Sequence, residues 1–458
     1  MKTQLILLTL VAAVLAGCTE SDDPAPEPVL EPVAMEPSYE NVQPASVTGL
    51  EFVAQVQHAD GAAFPSGSGI WVHGDRAYGS ALGNGFFIVD ISDPASPVLL
   101  WNATVDQDEG NNTETSFSRD ADLIAHPDGR LTLVLATQTN GMHLWDVTDP
   151  TAPVLASIVS DIGPNHNVAV IPGTELVFNS QSGGLGRTNE IIDARDPYNA
   201  YVLGQFGDHG CHDITFYGMY HEGDDMGHNH DKFRAYCAGI QRTEIWNLDS
   251  FDPATASGIE VIGLVEFGPD SPVIGNPAFQ SYPVRTLHHL AMVNEDASVL
   301  IIGDEQNGGG TPGACYVYED NTGVSTPFGA LWFYDLSDET APSLQGWISA
   351  PTIVPDAPGV PDPTTVIDPN NPTNVLRPVT NGVPNCTAHF GSLVPGEEKL
   401  VMSWYSAGVV LIDFSDISSP RILDQYQADP TNPWDARIHG GYVYTGDIVR
   451  GMDVLRLT

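Results

Sequence analysis

Short apolar runs, each closed by Asp or Asn and then by a turn rich in Asp, Ser and Pro, recur seven times along the chain. The copies read FIVDISDP at 87–94, HLWDVTDP at 143–150, IIDARDP at 191–197, EIWNL at 244–248, FYDLSD at 333–338, LIDFSD at 411–416 and MDVL at 452–455. Repetition at this spacing marks an array whose units bury their faces only against one another. Each unit also carries an earlier apolar run, as in 167–171, a second at 175–179 and a last one after the Asp-Pro turn, as in 201–204. These β-branched and aromatic runs, bounded by Gly, Pro, Asn and Asp, predict four strands per unit. An Asp ahead of Ser-Asp-Pro suits a turn, because its carboxylate accepts backbone N–H groups and Pro presets the bend.

Four strands in each of seven units predict an all-β, seven-bladed β-propeller, which leaves only short sheet edges. The last unit ends at Thr458 without a fourth strand, and Gly49–Val56 reads as the missing one. The N-terminal strand is therefore expected to complete the last blade and close the ring, with Phe52–Val56 beside Val454–Leu457. An open array would need polar capping repeats.

The Val-Asp-Ile-Ser-Asp-Pro signature, together with Cys386-Thr387-Ala388-His389 and Ser403-Trp404-Tyr405-Ser406-Ala407-Gly408, resembles the LVIVD-repeat family. The same repeat occurs in choice-of-anchor type surface proteins of bacteria and archaea. The likeness covers Gly49 to Thr458, and its fourth unit departs from the pattern with Asn247 in place of Asp. The resemblance implies a seven-bladed propeller exposed outside the cytoplasm. It implies no particular activity.

The first residues add an address. Lys2, an apolar run from Leu5 to Leu15 and the box Leu15-Ala16-Gly17-Cys18 read as a lipoprotein signal peptide over 1–17, too short to span a bilayer. Lipid on Cys18 would anchor the protein to the cell envelope on its extracytoplasmic side. Residues 18–48, rich in Pro and acids, are expected to form a self-repelling stalk, leaving 49–458 for the propeller. The remaining cysteines, Cys211, Cys237, Cys315 and Cys386, are even in number, as expected of disulfides in an exported chain. Cys211 and Cys237 fall in neighbouring strands of the fourth unit, which leaves Cys315 for Cys386.

Charge narrows the partners. The net charge is −43, from 59 acidic and 16 basic residues, and Lys2, Lys232 and Lys399 are the only lysines. Phosphate backbones need clustered Lys and Arg, so nucleic acid is excluded. A Lys-poor acidic surface stays soluble where salt screens repulsion.

Histidines gather at the starts of inner strands. Aligned on the turns that follow, His166, His212 and His288 share one position, and Asn167, Asp213, His289 and His389 share the next, with Asp122 and Asp435 in that register. In a propeller these positions ring one mouth of the central channel. Imidazoles and carboxylates converging there would suit a divalent metal, zinc, copper or calcium. Neighbours on a strand point opposite ways, so His288 and His289 cannot serve one ion. The alternative is that these side chains cap turns and tie blades together. A second cluster, His228 and His230 with Asp224 and Asp231, lies in a hairpin loop and reads either as a surface metal site or as a solvated loop. The segments 269–282, 307–327 and 351–384 read as Gly- and Pro-rich insertions suited to binding.

No catalytic signature stands out, and three functions remain open. The first is a lipid-anchored binding or scaffolding module for protein or glycan partners. The second is a metal-dependent hydrolase or oxidoreductase working through His166, His212, His289 and His389, with Asp213 as base or orienting group. The third is a purely structural envelope component.

Overall fold

The repeated apolar runs form seven four-stranded antiparallel sheets, each laid down in chain order except the last; Gly184–Leu185 stands outside the third, and Val317–Glu319 and Ser325–Pro327 stand outside the fifth. The computed structural model describes residues 44–56, 66–82, 85–102, 118–138, 140–219, 232–266, 287–305, 317–319, 325–327, 329–350, 366–367, 375–378 and 387–458. The inner strands of the first six blades are Gly67–His73, Asp120–Ala125, Asn167–Val170, Asp213–Tyr217, His288–Val293 and Ala388–Leu393. The seventh blade holds Pro433–His439, Tyr442–Asp447 and Asp453–Leu457, and its outer strand is Leu50–Gln55 from the other end of the chain. Leu50 stands opposite Leu457 and Phe52 opposite Leu455, with an irregularity between Phe52 and Ala54. Closure follows the expectation from sequence, with Phe52 stacked on Tyr426 and Glu51 paired with Arg456.

Period-two alternation explains why each blade needs two neighbours. In the first blade Ala77, Phe87 and Val89 pack against Tyr444, Met452 and Val454 of the last blade. Tyr78, Phe86 and Ile88 point the other way, onto Leu123, Leu133 and Trp145 of the second. Seven such hydrophobic clusters fill the seven interfaces between blades. Each buried large side chain contributes about 1.5–3 kcal/mol relative to exposure. The seam between the last and first blades is tight: a Cβ on Gly446 would lie 1.7 Å from the Ser68 carbonyl oxygen.

The Asp turns work as their sequence implies. Asp90, Asp146, Asp193, Asp335 and Asp413 each accept the backbone N–H two residues on, at 2.7–3.1 Å. Asn247 does the same in the fourth blade at 2.9 Å. The Asp of each Asp-Pro or Ser-Asp step repeats the device, from Asp93 to Ala95 through Asp416 to Ser418.

Three details extend the sequence reading. Val47, assigned to the stalk by composition, is fully buried beside Val394, Val401 and Leu411, and its N–H donates to Glu397. The insertions expected as loops contribute strands Val317–Glu319, Ser325–Pro327, Val366–Ile367 and Val375–Pro378, which form a small extra sheet. Cys211 and Cys237 form the expected disulfide. Cys315 and Cys386 lie outside the described residues, as do Cys18, the signal segment and most of the stalk. No helix among the described residues is long and apolar enough to cross a membrane.

Two predictions follow from packing and turn chemistry. Gly446→Val should destabilise the ring by about 3 kcal/mol, the upper end of overpacking penalties. Exposed Val98→Ala should change stability by no more than about 0.5 kcal/mol, and urea unfolding compares the two. Two kinds of carboxyl should also pull stability in opposite directions with pH. For Asp413, hydrogen bonds from Ser415 and Arg421 overcome the effect of burial and hold the carboxyl at about 2, and Asp335, Asp338 and Asp416 are lowered too. Depressed carboxyls stabilise above their unfolded value of about 4, and that contribution is lost as pH falls through the folded values. Asp122 acts in the opposite sense: burial outweighs its bonds from Val170 and Leu123 and raises it to about 7. Its contribution is lost as pH rises through that value. Thermal midpoints measured from pH 3 to 9 should therefore show Asp413→Asn losing its deficit against wild type as pH falls below about 4, and Asp122→Asn gaining on wild type between about 4 and about 7.

Candidate functional site: a histidine arc at the channel mouth

The mouth is built from one residue per blade at the entry of each inner strand. Arg119, His166 and His212 precede the first ladder residue in their blades, and each donates its N–H to the end of the second strand. The acceptors are Ala136, Ser180 and Ala238, at 2.9, 2.9 and 2.6 Å. In the fifth, sixth and seventh blades the register shifts at this point, between His288 and Leu290, between Ala388 and Gly391, and between Pro433 and Asp435. These bulges place His289, His389 and Trp434 at the mouth, since an extra residue in one strand re-aims its side chain. Ser68 lies within the corresponding shift of the first blade.

The rings form a continuous arc. Centroids lie 4.3 Å apart for His166–His212, 4.6 Å for His212–His289, 4.1 Å for His289–His389 and 4.2 Å for His389–Trp434. His288 is not part of it; its Nδ1 meets the Thr243 hydroxyl at 2.7 Å, between blades. The expected alignment of His288 with His166 and His212 is corrected by the bulge, which puts His289 in that place.

Three of the four histidines are tethered from behind. Nδ1 of His166 lies 2.7 Å from the Gln138 amide oxygen, that of His389 2.7 Å from the Trp434 carbonyl, and that of His212 3.3 Å from the Ser182 carbonyl. A carbonyl oxygen only accepts, so His212 and His389 carry their proton on Nδ1 and leave Nε2 bare. Burial holds His212 at about 4 and drives His166, His289 and His389 well below the ordinary imidazole range. All four are neutral near pH 7. Nε2 of His212, Nε2 of His389 and Nδ1 of His289 are buried without a hydrogen-bond partner.

Glu305, at the end of the second strand of the fifth blade, supplies the carboxylate. Its oxygens lie 3.6 Å from Nε2 of His289 and 3.6 Å from Nε2 of His389. Because both rings are neutral, these are dipolar approaches rather than ion pairs. The Tyr405 hydroxyl donates to Glu305 Oε1 at 2.5 Å. Burial raises Glu305 to about 7, against the opposing pull of Tyr405 and Arg119. His212, His289 and Glu305 each offer one ligand atom, all within 4.8 Å of one another. Ligand atoms around tetrahedral zinc stand roughly 3–3.5 Å apart, so this set needs a contraction of about 1 Å.

The aspartates of the inner strands do other work. Asp120 and Asp122 accept the N–H groups of Val168 and Val170 in the next blade, and Asp435 that of Ile70 across the closing seam. Asn167 donates to the His212 carbonyl. These residues tie blades together, as the alternative reading of the register held. Asp213 is raised to about 7 by burial, opposed by Arg437, with Asp435 and Asn167 also near it. It is not one of the three metal-capable residues that the structure brings together. His228 and His230 lie outside the described residues.

Glu305, Arg119 and Trp434 escaped the sequence reading. Glu305 comes from a second strand, where no repeat position marks it. Arg119 could have been found from the step before Asp120, and Tyr405 stood within the quoted Ser403–Gly408 segment.

The LVIVD repeat model matches residues 66–105, which span the first blade. No curated protein matches the chain in sequence. The crystal structure of Saccharomyces cerevisiae Sqt1 is similar at 8% identity and a TM-score of 0.48, covering 86% of this chain and 83% of that one. Chaetomium thermophilum Raptor is similar at 10% identity and a TM-score of 0.49; the match covers 89% of this chain and 29% of Raptor. A propeller with such a repeat suggests a protein-interaction module. The chain is a seven-bladed β-propeller that carries an LVIVD repeat.

Proposed function

We propose that this propeller holds a divalent transition-metal ion at its channel mouth, with His212, His289 and Glu305 as ligands and His389 within reach. The observation that carries this reading is the buried group of His212, His289 and Glu305, whose ligand atoms lie within 4.8 Å of one another, with unpartnered Nε2 atoms on His212 and on the neighbouring His389. Each unsatisfied buried polar group costs about 1–3 kcal/mol. Turn-capping would spend these nitrogens on backbone groups, whereas a metal uses bare nitrogens directly. Histidine ligands ordinarily donate their other ring N–H to a carbonyl, as His212 and His389 do. Two imidazoles and a carboxylate suit zinc or ferrous iron, and disfavour calcium, which takes oxygen ligands.

A metal there would act as a Lewis acid on a small molecule entering the mouth. Glu305 would hold one side of the ion while Tyr405 keeps that carboxylate oriented. The protein would thus be a metal-dependent binding or catalytic module, working outside the cytoplasm and tethered through lipid on Cys18. The interaction surface of the propeller remains available to a protein or glycan partner at the same address.

Two measurements test this. Protein dialysed against zinc or ferrous iron should retain about one equivalent, and saturating metal should add about 2.7 kcal/mol of stability at a hundredfold excess over the dissociation constant. His212→Ala, His289→Ala and Glu305→Gln should each weaken binding by about 100-fold or more. Retention below a tenth of an equivalent by the wild type would defeat the proposal, as would equal affinity in all three variants. For the address, Cys18→Ser should move the protein from the membrane fraction to the soluble fraction with its propeller intact. A variant that stays with the membranes would defeat the lipid anchor.

A further inference from the structure

We infer that the Cys211–Cys237 disulfide is a positioning device for the metal site, holding His212 in place as a ligand. This inference rests on the metal reading and adds the covalent bond that orients one of its ligands.

The first support is place. Cys211 immediately precedes His212, and Cys237 immediately precedes Ala238, whose carbonyl accepts the His212 N–H at 2.6 Å. The disulfide therefore lies directly beside the backbone bond that fixes the ligand. Both cysteines are buried in the core between the third and fourth blades. From the third blade, the Asn189 side-chain oxygen accepts the Cys211 N–H at 2.8 Å, and the Cys211 carbonyl accepts the Gly183 N–H at 3.0 Å. The neighbouring Ser182 carbonyl meets Nδ1 of the His212 ring at 3.3 Å. His212 is thus clamped to two blades, while its Nε2 has no hydrogen-bond partner.

A comparison within the ring supplies the second support. In the third blade Asn165 precedes His166, and Asn179 precedes Ser180, whose carbonyl accepts the His166 N–H at 2.9 Å. Asn165 and Asn179 thus occupy the places of Cys211 and Cys237, and a hydrogen bond of 2.7 Å joins their side chains. The fold accepts an amide pair at this position, so building a blade does not demand a covalent bond there. His166 is outside the group whose ligand atoms converge, and His212 is inside it. The covalent form of the link stands where the ligand is. A hydrogen-bonded pair can open and swing, whereas a disulfide restricts how far apart its two Cα atoms can stand, here 5.2 Å. Metal ligands depend on such support from behind, and its loss typically weakens binding by about 10–100-fold.

The experiment compares zinc affinity in the full-length protein, in Cys211→Ala/Cys237→Ala and in Cys211→Asn/Cys237→Asn. Both positions change together, so no free thiol is left there to compete for the ion. The alanine pair should bind zinc about tenfold or more weakly than wild type. The asparagine pair, which copies the third blade, should fall between the two. Loaded with cobalt(II), the alanine pair should shift its visible spectrum toward that of His212→Ala, a change that a remote staple would not cause. Leu248→Ala is the control, because Leu248 lies in the same core cluster but at the far end of the blade, bonded to Phe233. It should lower the thermal midpoint while zinc affinity stays within about threefold of wild type. Unchanged zinc affinity in either folded pair would overturn the inference and leave the metal reading intact, as would an equal loss in Leu248→Ala. If the alanine pair does not fold, the asparagine pair decides by the same comparison. If neither folds, the bond serves the fold and the inference is overturned. Wild type that binds no metal would remove both.

Discussion

Every blade of this protein is apolar on both faces, and that constraint organises everything else. Alternating residues on one strand serve two different interfaces, so a blade at the end of an open array would expose half of its core. A ring is the arrangement that leaves no such face. The chain achieves it by lending Leu50–Gln55 to the last blade, and by packing the closing seam so closely that Gly446 accommodates no side chain beside Ser68. Fixing the ring also fixes the channel, because seven inner strands must then present their entries to a common mouth.

At that mouth the chain does something the fold does not require. Interiors normally satisfy their polar atoms, and the inner-strand aspartates do so by bonding the backbone of the next blade. The histidines are handled differently. His166, His212 and His389 are held through one ring nitrogen, while the other nitrogen of His212 and of His389 is kept bare in the group around Glu305. A site that is expensive to bury and stiffly oriented is well prepared for a ligand, since little reorganisation remains when the ligand arrives.

The fold was largely legible because it rests on local, repeated chemistry. Asp90, Asp146 and Asp413 announce their turns by identity and spacing, and the closing strand is visible as the piece the last unit lacks. The site was legible only in part. His166, His212, His289 and His389 could be gathered at one end of the strands, yet their register could not be read, because bulges at His289 and His389 carry no marker in composition. Glu305 belongs to a different strand and reaches the histidines only through the three-dimensional pairing of His288 with Asp304. Asp213 read as a base or orienting group from its register with His289 and His389, but in the fold it is buried, with Arg437 and Asp435 among the charges acting on it.

Asn247 carries a wider meaning than its place in one turn. It caps the fourth blade's turn with a neutral amide, using the same backbone bond that five aspartates make with a carboxylate. Hydrogen-bond geometry at these corners therefore does not demand a negative charge. The acidity of the rim is a property of the surface that the scaffold tolerates, and evolution can tune it corner by corner to the surrounding medium. A propeller built this way can drift between salty and dilute environments while its ring, and whatever its mouth holds, stays the same.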